Sequence, residues 1–314
     1  MSRKECIFAV LLLSVQAAAQ SNPVYQNPTM NQNIVQPPGT SFSANNEAGI
    51  YYSPSYYWSQ SYVGSLKPGT NKVTLTTCPA GMLVLASPVQ PFTRIWLSGG
   101  GNSEAVVITA TTCPLQGGGN GTQTITFTNV NNYPSGYTLS SASQGIQEAI
   151  NAANITLNSS SPQFGKVIIP PGAYTALARI SILGNKQYID ANGAVLTCTM
   201  ADTCLFVGDP GGGQNANITT DVTIDGLAVQ AGYAGRYTAI EDDASHTTLR
   251  GISTRNSSGS YTFFSIIQID NDQSAVIEKF NPGSQNNWAH CGTDWCSWQS
   301  MAQDRSAPTR VCFG

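Results

Sequence analysis

Three charged residues recur at matching positions: Asp225 in "DVTIDGLAV", Arg250 in "HTTLRGIST" and Glu278 in "QSAVIEKFN". Each directly follows an apolar residue, Ile224, Leu249 or Ile277, and these stand 25 and 28 residues apart. Neighbouring side chains on a strand point to opposite faces. If the apolar residues point inward, the charges form an outward column with steps of about 4.8 Å. Such a column suits two kinds of chemistry. In one it lines a cleft, where carboxylates hold Ca²⁺ against a uronate and Arg250 takes the proton beside the sugar carboxylate. The metal then stabilises the carbanion-like state. In the other it is an acid–base–acid ladder, worth a few tenths of a kcal/mol per pair. A base role requires a deprotonated Arg250, which its high pKa opposes, and the ladder is the preferred reading.

"EDDASH" gathers Glu241, Asp242, Asp243 and His246, one of only two histidines. Adjacent carboxylates push one pKa upward, as an acid/base pair requires, and they can also hold Ca²⁺. The stretch reads as a turn between strands, where acids also serve solvation alone. Asp270 and Asp272 in "QIDNDQ" read the same way. The candidate catalytic residues are therefore Asp225, Arg250, Asp242 and Asp243, and Ca²⁺ is the one cofactor the carboxylates admit. "GDPGGGQN", from Gly208, lacks the Lys and Ser/Thr of a phosphate loop and reads as a turn or insertion.

The surrounding chain favours strands. Only 10% of its 314 residues are charged, and 30 are glycine. Low charge with many small polar and β-branched residues suits strands and turns. The net charge is −3 with no basic run, which argues against a nucleic-acid partner. Residues 1–19 read as an export signal: Arg3 and Lys4, the apolar core "CIFAVLLLSV", then "AAA" before Gln20. Ten apolar residues are too few to span a bilayer, and no later stretch is longer. The expected location is outside the cytoplasm: extracellular, periplasmic or on the cell surface.

Cys6 lies in that signal, which leaves seven of the eight cysteines. Export permits disulfides, and Cys78 with Cys113 and Cys198 with Cys204 are candidate pairs. His290, Cys291 and Cys296 raise a zinc alternative, but their spacing fits no common zinc pattern. Residues 20–66, rich in Asn, Gln, Pro, Ser and Tyr, read as a low-complexity linker. The tyrosines of "YYSPSYYWSQSY" are alternatively a sugar-stacking strip. Residues 67–141 read as a small all-β domain of short strands, with "TTCP" repeated 35 residues apart. Residues 285–314 are Cys/Trp-rich. Trp288, Trp295 and Trp298 suit a sugar platform, a C-terminal cap, or a truncated or frame-shifted piece of a longer solenoid.

Positioning the column requires a stacked β-coil. Leu227, Ile252 and Phe280 form a second apolar column, and Gly226 and Gly251 match while Lys279 departs. One coil of 25 to 28 residues buries its inward side chains on its neighbours, so its end must be covered. "GIQEAINAA" supplies a helix for that cap. Ile146, Ala149, Ile150 and Ala153 share one face, Ser141 or Ser143 caps the start, and Gln144 completes a capping box with Ser141.

The run "GIQEAINAA", "GKVIIPPGAYTA" and "YIDANGAVL" resembles the opening of the pectate-lyase-like right-handed parallel β-helix superfamily. That group spans pectate lyases, polygalacturonases, rhamnogalacturonases and phage tailspikes. The resemblance is close over about residues 143–196 and looser to Phe280. It implies an all-β fold, a right-handed parallel β-helix over residues 142–284 capped by the short helix and preceded by the small β domain. It also implies a polysaccharide partner, acidic or plant-type, that is bound, or cleaved by lyase or hydrolase chemistry. The alternative is a non-catalytic surface or tailspike-like module for adhesion or recognition. Trimers occur among tailspike-like relatives, and the oligomeric state here is open. The polygalacturonase "NTD", "GHG" and "RIK" sets and the pectate lyase "WIDH" motif are absent, so no family catalytic residue carries over.

Overall fold

The computed structural model describes residues 50–82, 93–114, 117–118, 123–155, 165–184, 186–208, 221–233, 237–244, 246–255, 263, 265–269, 275–281 and 290–291. All of these belong to one compact unit, residues 32–314. The export signal, Asp270, Asp272, Cys296, Cys312 and the three clustered tryptophans lie outside the described residues. The described residues are almost all β, with one α-helix.

Three parallel sheets carry the second half. The first runs β1 (Ile50–Tyr52), β8 (Gly165–Ile168), β11 (Gln187–Asp190), β14 (Thr223–Asp225), β17 (Thr248–Arg250), β20 (Val276–Glu278). The second contains β9 (Gly172–Ala176), β12 (Ala194–Cys198), β15 (Ala228–Ala231) and β18 (Ser253–Arg255). The third contains β10 (Ile180–Ile182), β13 (Leu205–Gly208), β16 (Thr238–Asp243), β19 (Ser265–Ile269) and β21 (His290–Cys291). From β8 to β19 the chain visits the three sheets in unbroken rotation, so each strand pairs with one a full circuit away. The apolar columns are the reason these strands stack. Ile189, Ile224, Leu249 and Ile277 occupy one register and are all buried. Leu227 and Ile252 are buried, and Phe280 packs partly buried against the same core.

The turns repeat with the strands. Lys186, Asp221 and His246 enter β11, β14 and β17 with φ of 52°, 58° and 59°. Gly226, Gly251 and Lys279 leave β14, β17 and β20 with φ of 76°, 64° and 53°. Lys279 therefore departs from the glycine pattern in residue type only. A side chain at positive φ costs about 1 kcal/mol relative to glycine. Lys279→Gly should raise stability by about 0.5–1 kcal/mol in urea unfolding; a loss would mean the side chain makes contacts that outweigh its backbone strain.

The antiparallel sheet has the order β2 (Ser59–Tyr62), β7 (Tyr137–Ser141), β4 (Arg94–Gly99), β5 (Asn102–Thr111), β6 (Thr124–Asn129), β3 (Gly69–Thr74). Alternation buries Ile95, Leu97, Ile108, Ile125, Phe127 and Leu139 together. The repeated "TTCP" segments follow β3 and β5, the two strands flanking β6, and the Cys78–Cys113 disulfide joins them. Cys198 and Cys204 form the second disulfide.

Part of the segment read as linker is structured. Tyr51 pairs with Val167 in the first parallel sheet, Ser59–Tyr62 pairs with β7, and Tyr51, Tyr56 and Trp58 are buried. Low charge and abundant tyrosine here reflect strands at sheet edges, so the antiparallel sheet starts at Ser59 and not at residue 67.

Helix α1 (Ile146–Ile155) packs against β1, β8 and β10. The predicted apolar face is buried, but Gln147, Glu148 and Asn151 are buried as well. Their polar groups reach both neighbours. Asn151 Nδ2 donates to Gly81 O and Thr93 Oγ1 on the antiparallel side, each at 2.9 Å. Gln147 exchanges two bonds with the Ser181 backbone, at 2.6 and 2.8 Å, and so occupies the free edge of β10. Ser143 caps the helix through Gln147 N at 2.9 Å. The capping box with Gln144 does not form. Gln144 takes φ 54° and its side chain accepts from Thr175 N at 2.7 Å. Gly145 then turns at φ 89°, where a Cβ would collide with the backbone of Ser53 and Tyr57.

Candidate functional site

The outward face of the first parallel sheet gathers the charged column. Asp190, Asp225, Arg250 and Glu278 share one register across four strands. Lys166 and Tyr188 are paired in the neighbouring outward register. Arg250 Nη2 lies 2.6 Å from Asp225 Oδ2, and the Tyr188 hydroxyl donates to the same oxygen at 2.9 Å. Lys166 Nζ lies 3.0 Å from Asp190 Oδ2 and 5.4 Å from the centre of the Tyr188 ring. The Lys166 and Arg250 side chains are each 37% exposed, so the cluster is both ordered and reachable.

Electrostatics holds Asp190, Asp225, Arg250 and Tyr188 in their resting forms. The hydrogen bond and charge of Arg250 hold the Asp225 carboxyl below its usual range. Burial pushes Asp190 upward, but bonds from Asn192 and Lys166 outweigh it and leave this carboxyl low too. Asp225 in turn raises the Arg250 guanidinium further above its ordinary value. Burial and Asp225 raise the Tyr188 phenol. Asp225 and Arg250 are thus brought together as an ion pair, and Glu278 shares their register. Arg250 is further from serving as a base than an isolated arginine.

Asp242 and Asp243 lie on another sheet. The "EDD" segment is not a turn: it is the end of β16, paired with β13 and β19. Both aspartates are buried. Asp242 Oδ1 accepts from Thr247 Oγ1 at 3.0 Å and from Ala244 N at 3.2 Å, while Glu241 accepts from Thr203 Oγ1 at 2.7 Å. These partners let acids occupy a strand that their charge alone would place in a solvated turn. Among the described residues, no group of three His, Cys, Asp or Glu side chains is placed to hold a metal ion.

Sequence reasoning missed Lys166, Tyr188 and Asp190. Ile189 stands 35 residues before Ile224, outside the 25-to-28 spacing used to align the later coils. The available signal was "YIDANG", in which Asp190 follows Ile189 as Asp225 follows Ile224.

No protein-family model and no curated protein sequence matches the chain. Among solved structures it is similar to the catalytic domain of a GH87 alpha-1,3-glucanase variant in complex with tetrasaccharides, with 10% identity and a TM-score of 0.24. That likeness covers 71% of this chain and 58% of the glucanase chain, so this chain spans little more than half the length of that neighbour. Among the described residues no helix is long and apolar enough to cross a membrane.

Proposed function

We propose that this is an exported carbohydrate-binding protein. Its three parallel sheets wind as a right-handed parallel β-helix, and the outward face around Tyr188, Asp225 and Arg250 binds an acidic polysaccharide. The observation that carries this reading is the closed Tyr188–Asp225–Arg250 cluster beside the Lys166–Asp190 pair, at 2.6 to 3.0 Å. An aromatic ring with planar and charged donors around it presents both faces that a sugar acid needs: a flat apolar surface and cations for its carboxylate. Hydrolysis would need one carboxyl held protonated near neutral pH, and Asp190 and Asp225 are shifted the other way. The two disulfides support export, because such bonds persist in oxidising compartments.

The test is incubation with pectate, alginate and rhamnogalacturonan, with and without Ca²⁺, scoring retention and product together. Retention on at least one polymer without new reducing ends or unsaturated products is expected. Arg250→Ala should cost less than about 1 kcal/mol of stability, since the pair is partly solvated. The same change, or Tyr188→Ala, should weaken binding about tenfold, roughly 1.4 kcal/mol. Product formation that Arg250→Ala abolishes would replace the binding reading with a catalytic one. Retention unchanged in both variants would place binding elsewhere.

A further inference from the structure

Helix α1 has a single ionisable side chain, and it is wholly buried. The Glu148 carboxyl accepts from Trp58 Nε1 at 3.2 Å and from Ser141 Oγ at 2.8 Å. Ser141 Oγ in turn accepts from Gly145 N at 2.7 Å. Gly81 closes over the same turn, where a Cβ would collide with the Glu148 carbonyl. Both partners of the carboxyl are neutral donors. Among the elements packed against α1, β8 contributes Lys166, which faces outward and pairs with Asp190. β1 contributes Tyr51 and Tyr52, the 3-10 turn Ser53–Tyr56 contributes Tyr56, and β10 contributes no ionisable group. On the antiparallel side β7 carries Tyr137, and Arg94 follows Thr93, which bonds to Asn151. Among the described residues, no ion pair includes Glu148.

Trp58 belongs to a strap, residues 50–62, that runs from β1 through the 3-10 turn to β2. Both strands are short and stand at sheet edges, with one neighbour each. Such edges are where a fold opens at least cost. The strap crosses the start of α1, where Gly145 lies against the backbone of Ser53 and Tyr57. The rest of α1 is fixed by neutral amides: Gln147 bonds to Ser181, and Asn151 to Gly81 and Thr93. Those bonds do not titrate, so a charge on Glu148 acts on the strap first. A buried carboxylate without a cation is costly, and burial pushes Glu148 up to about 7 against the bonds from Ser141 and Trp58. Moving Trp58 aside admits water, and the acid then titrates in the ordinary carboxylate range. The closed form thus holds a proton that the open form gives up. Closure is fully favoured below about pH 4.5 and weakens as the pH rises through 7.

We infer that Glu148 is a pH-sensitive latch: its protonated carboxyl holds Trp58 and the strap of residues 50–62 against α1, and its ionisation releases them while the stacked strands stay folded. Release takes β1 away from β8 and uncovers that edge of the first parallel sheet, beside Lys166. The latch does not rest on the carbohydrate reading of that sheet.

The experiment is native-state hydrogen exchange of the full chain between pH 5 and pH 8, read by mass spectrometry and corrected for the intrinsic exchange rate. Peptides spanning residues 50–62 should be less protected than those spanning β14 and β17 at every pH. Their protection should fall on the order of a hundredfold from pH 5 to pH 8. Peptides from β14 and β17 should stay at least tenfold better protected than the strap at pH 8. In Glu148→Gln the strap should keep its low-pH protection throughout. Strap protection equal to that of β14 and β17 would mean that it opens only with the whole fold, and overturns the latch. Strap protection that is flat with pH, or that falls equally in Glu148→Gln, overturns it as well. The comparison of strap with core in the wild-type chain decides the matter by itself should the variant fail to fold.

Discussion

Raising the pH from about 5 to about 8 should lower the stability of this protein by about 2–3 kcal/mol, and Glu148→Gln should remove most of that loss. Glu148 sits in the first turn of α1 with no exposed surface. Its carboxyl accepts from Trp58 Nε1 at 3.2 Å and from Ser141 Oγ at 2.8 Å, and among the described residues no ion pair reaches it. Burial raises its pKa from 4.5 to about 7, against the smaller opposing effect of those bonds. A folded-state pKa above the unfolded one means the fold prefers the protonated acid. The stabilisation is complete below about pH 4.5 and is lost as the pH rises through 7. Asp190 and Asp225 are shifted downward and act in the opposite sense, at acidic pH; Glu148→Gln isolates the contribution of Glu148 above pH 5. Glutamine keeps the shape without the charge: its amide oxygen accepts from Trp58 Nε1, and its NH2 donates to Ser141 Oγ in a reversed bond. Chemical unfolding of both proteins across this range would check it; a flat wild-type profile, or an equal slope in Glu148→Gln, contradicts the burial argument.

Ile224→Ala should destabilise the protein by about 3–4 kcal/mol, while Thr223→Ala next to it should stay within about 1 kcal/mol. Ile224 is fully buried between Ile189 and Leu249, each one strand away in the same register. Truncation would open a void that the rigid backbone ladders on either side cannot close, so the cavity adds to the lost transfer energy. Thr223 occupies the opposite face and is partly exposed. Urea unfolding of the two variants measures the contrast. A cost below about 1 kcal/mol for Ile224→Ala would mean that the stacked column is not the core.

Much of this molecule was legible in the chain because burial is periodic. Ile224, Leu249 and Ile277 could be aligned since every coil must place an apolar residue at the same inward point, and the adjacent Asp225 and Arg250 then had to face outward together. The helix, a serine cap at Ser141 or Ser143 and the two candidate disulfide pairs followed from equally local patterns, and the structure assigns the cap to Ser143. The alignment failed where coil length changed. The 35 residues between Ile189 and Ile224 shift the spacing without shifting the register, because an added loop leaves strand pairing untouched.

Periodicity therefore exposed the inward columns, the charged outward column and the helix that precedes them. Which side chains meet was settled by the folded arrangement. It set Lys166 and Tyr188 beside Asp190 and Asp225, buried Asp242 and Asp243 in a strand, and enclosed α1 on its polar face as well. Apolar burial follows from a residue's own chemistry and its period. The state of a buried charge depends on partners brought from distant segments, and no local pattern encodes that distance.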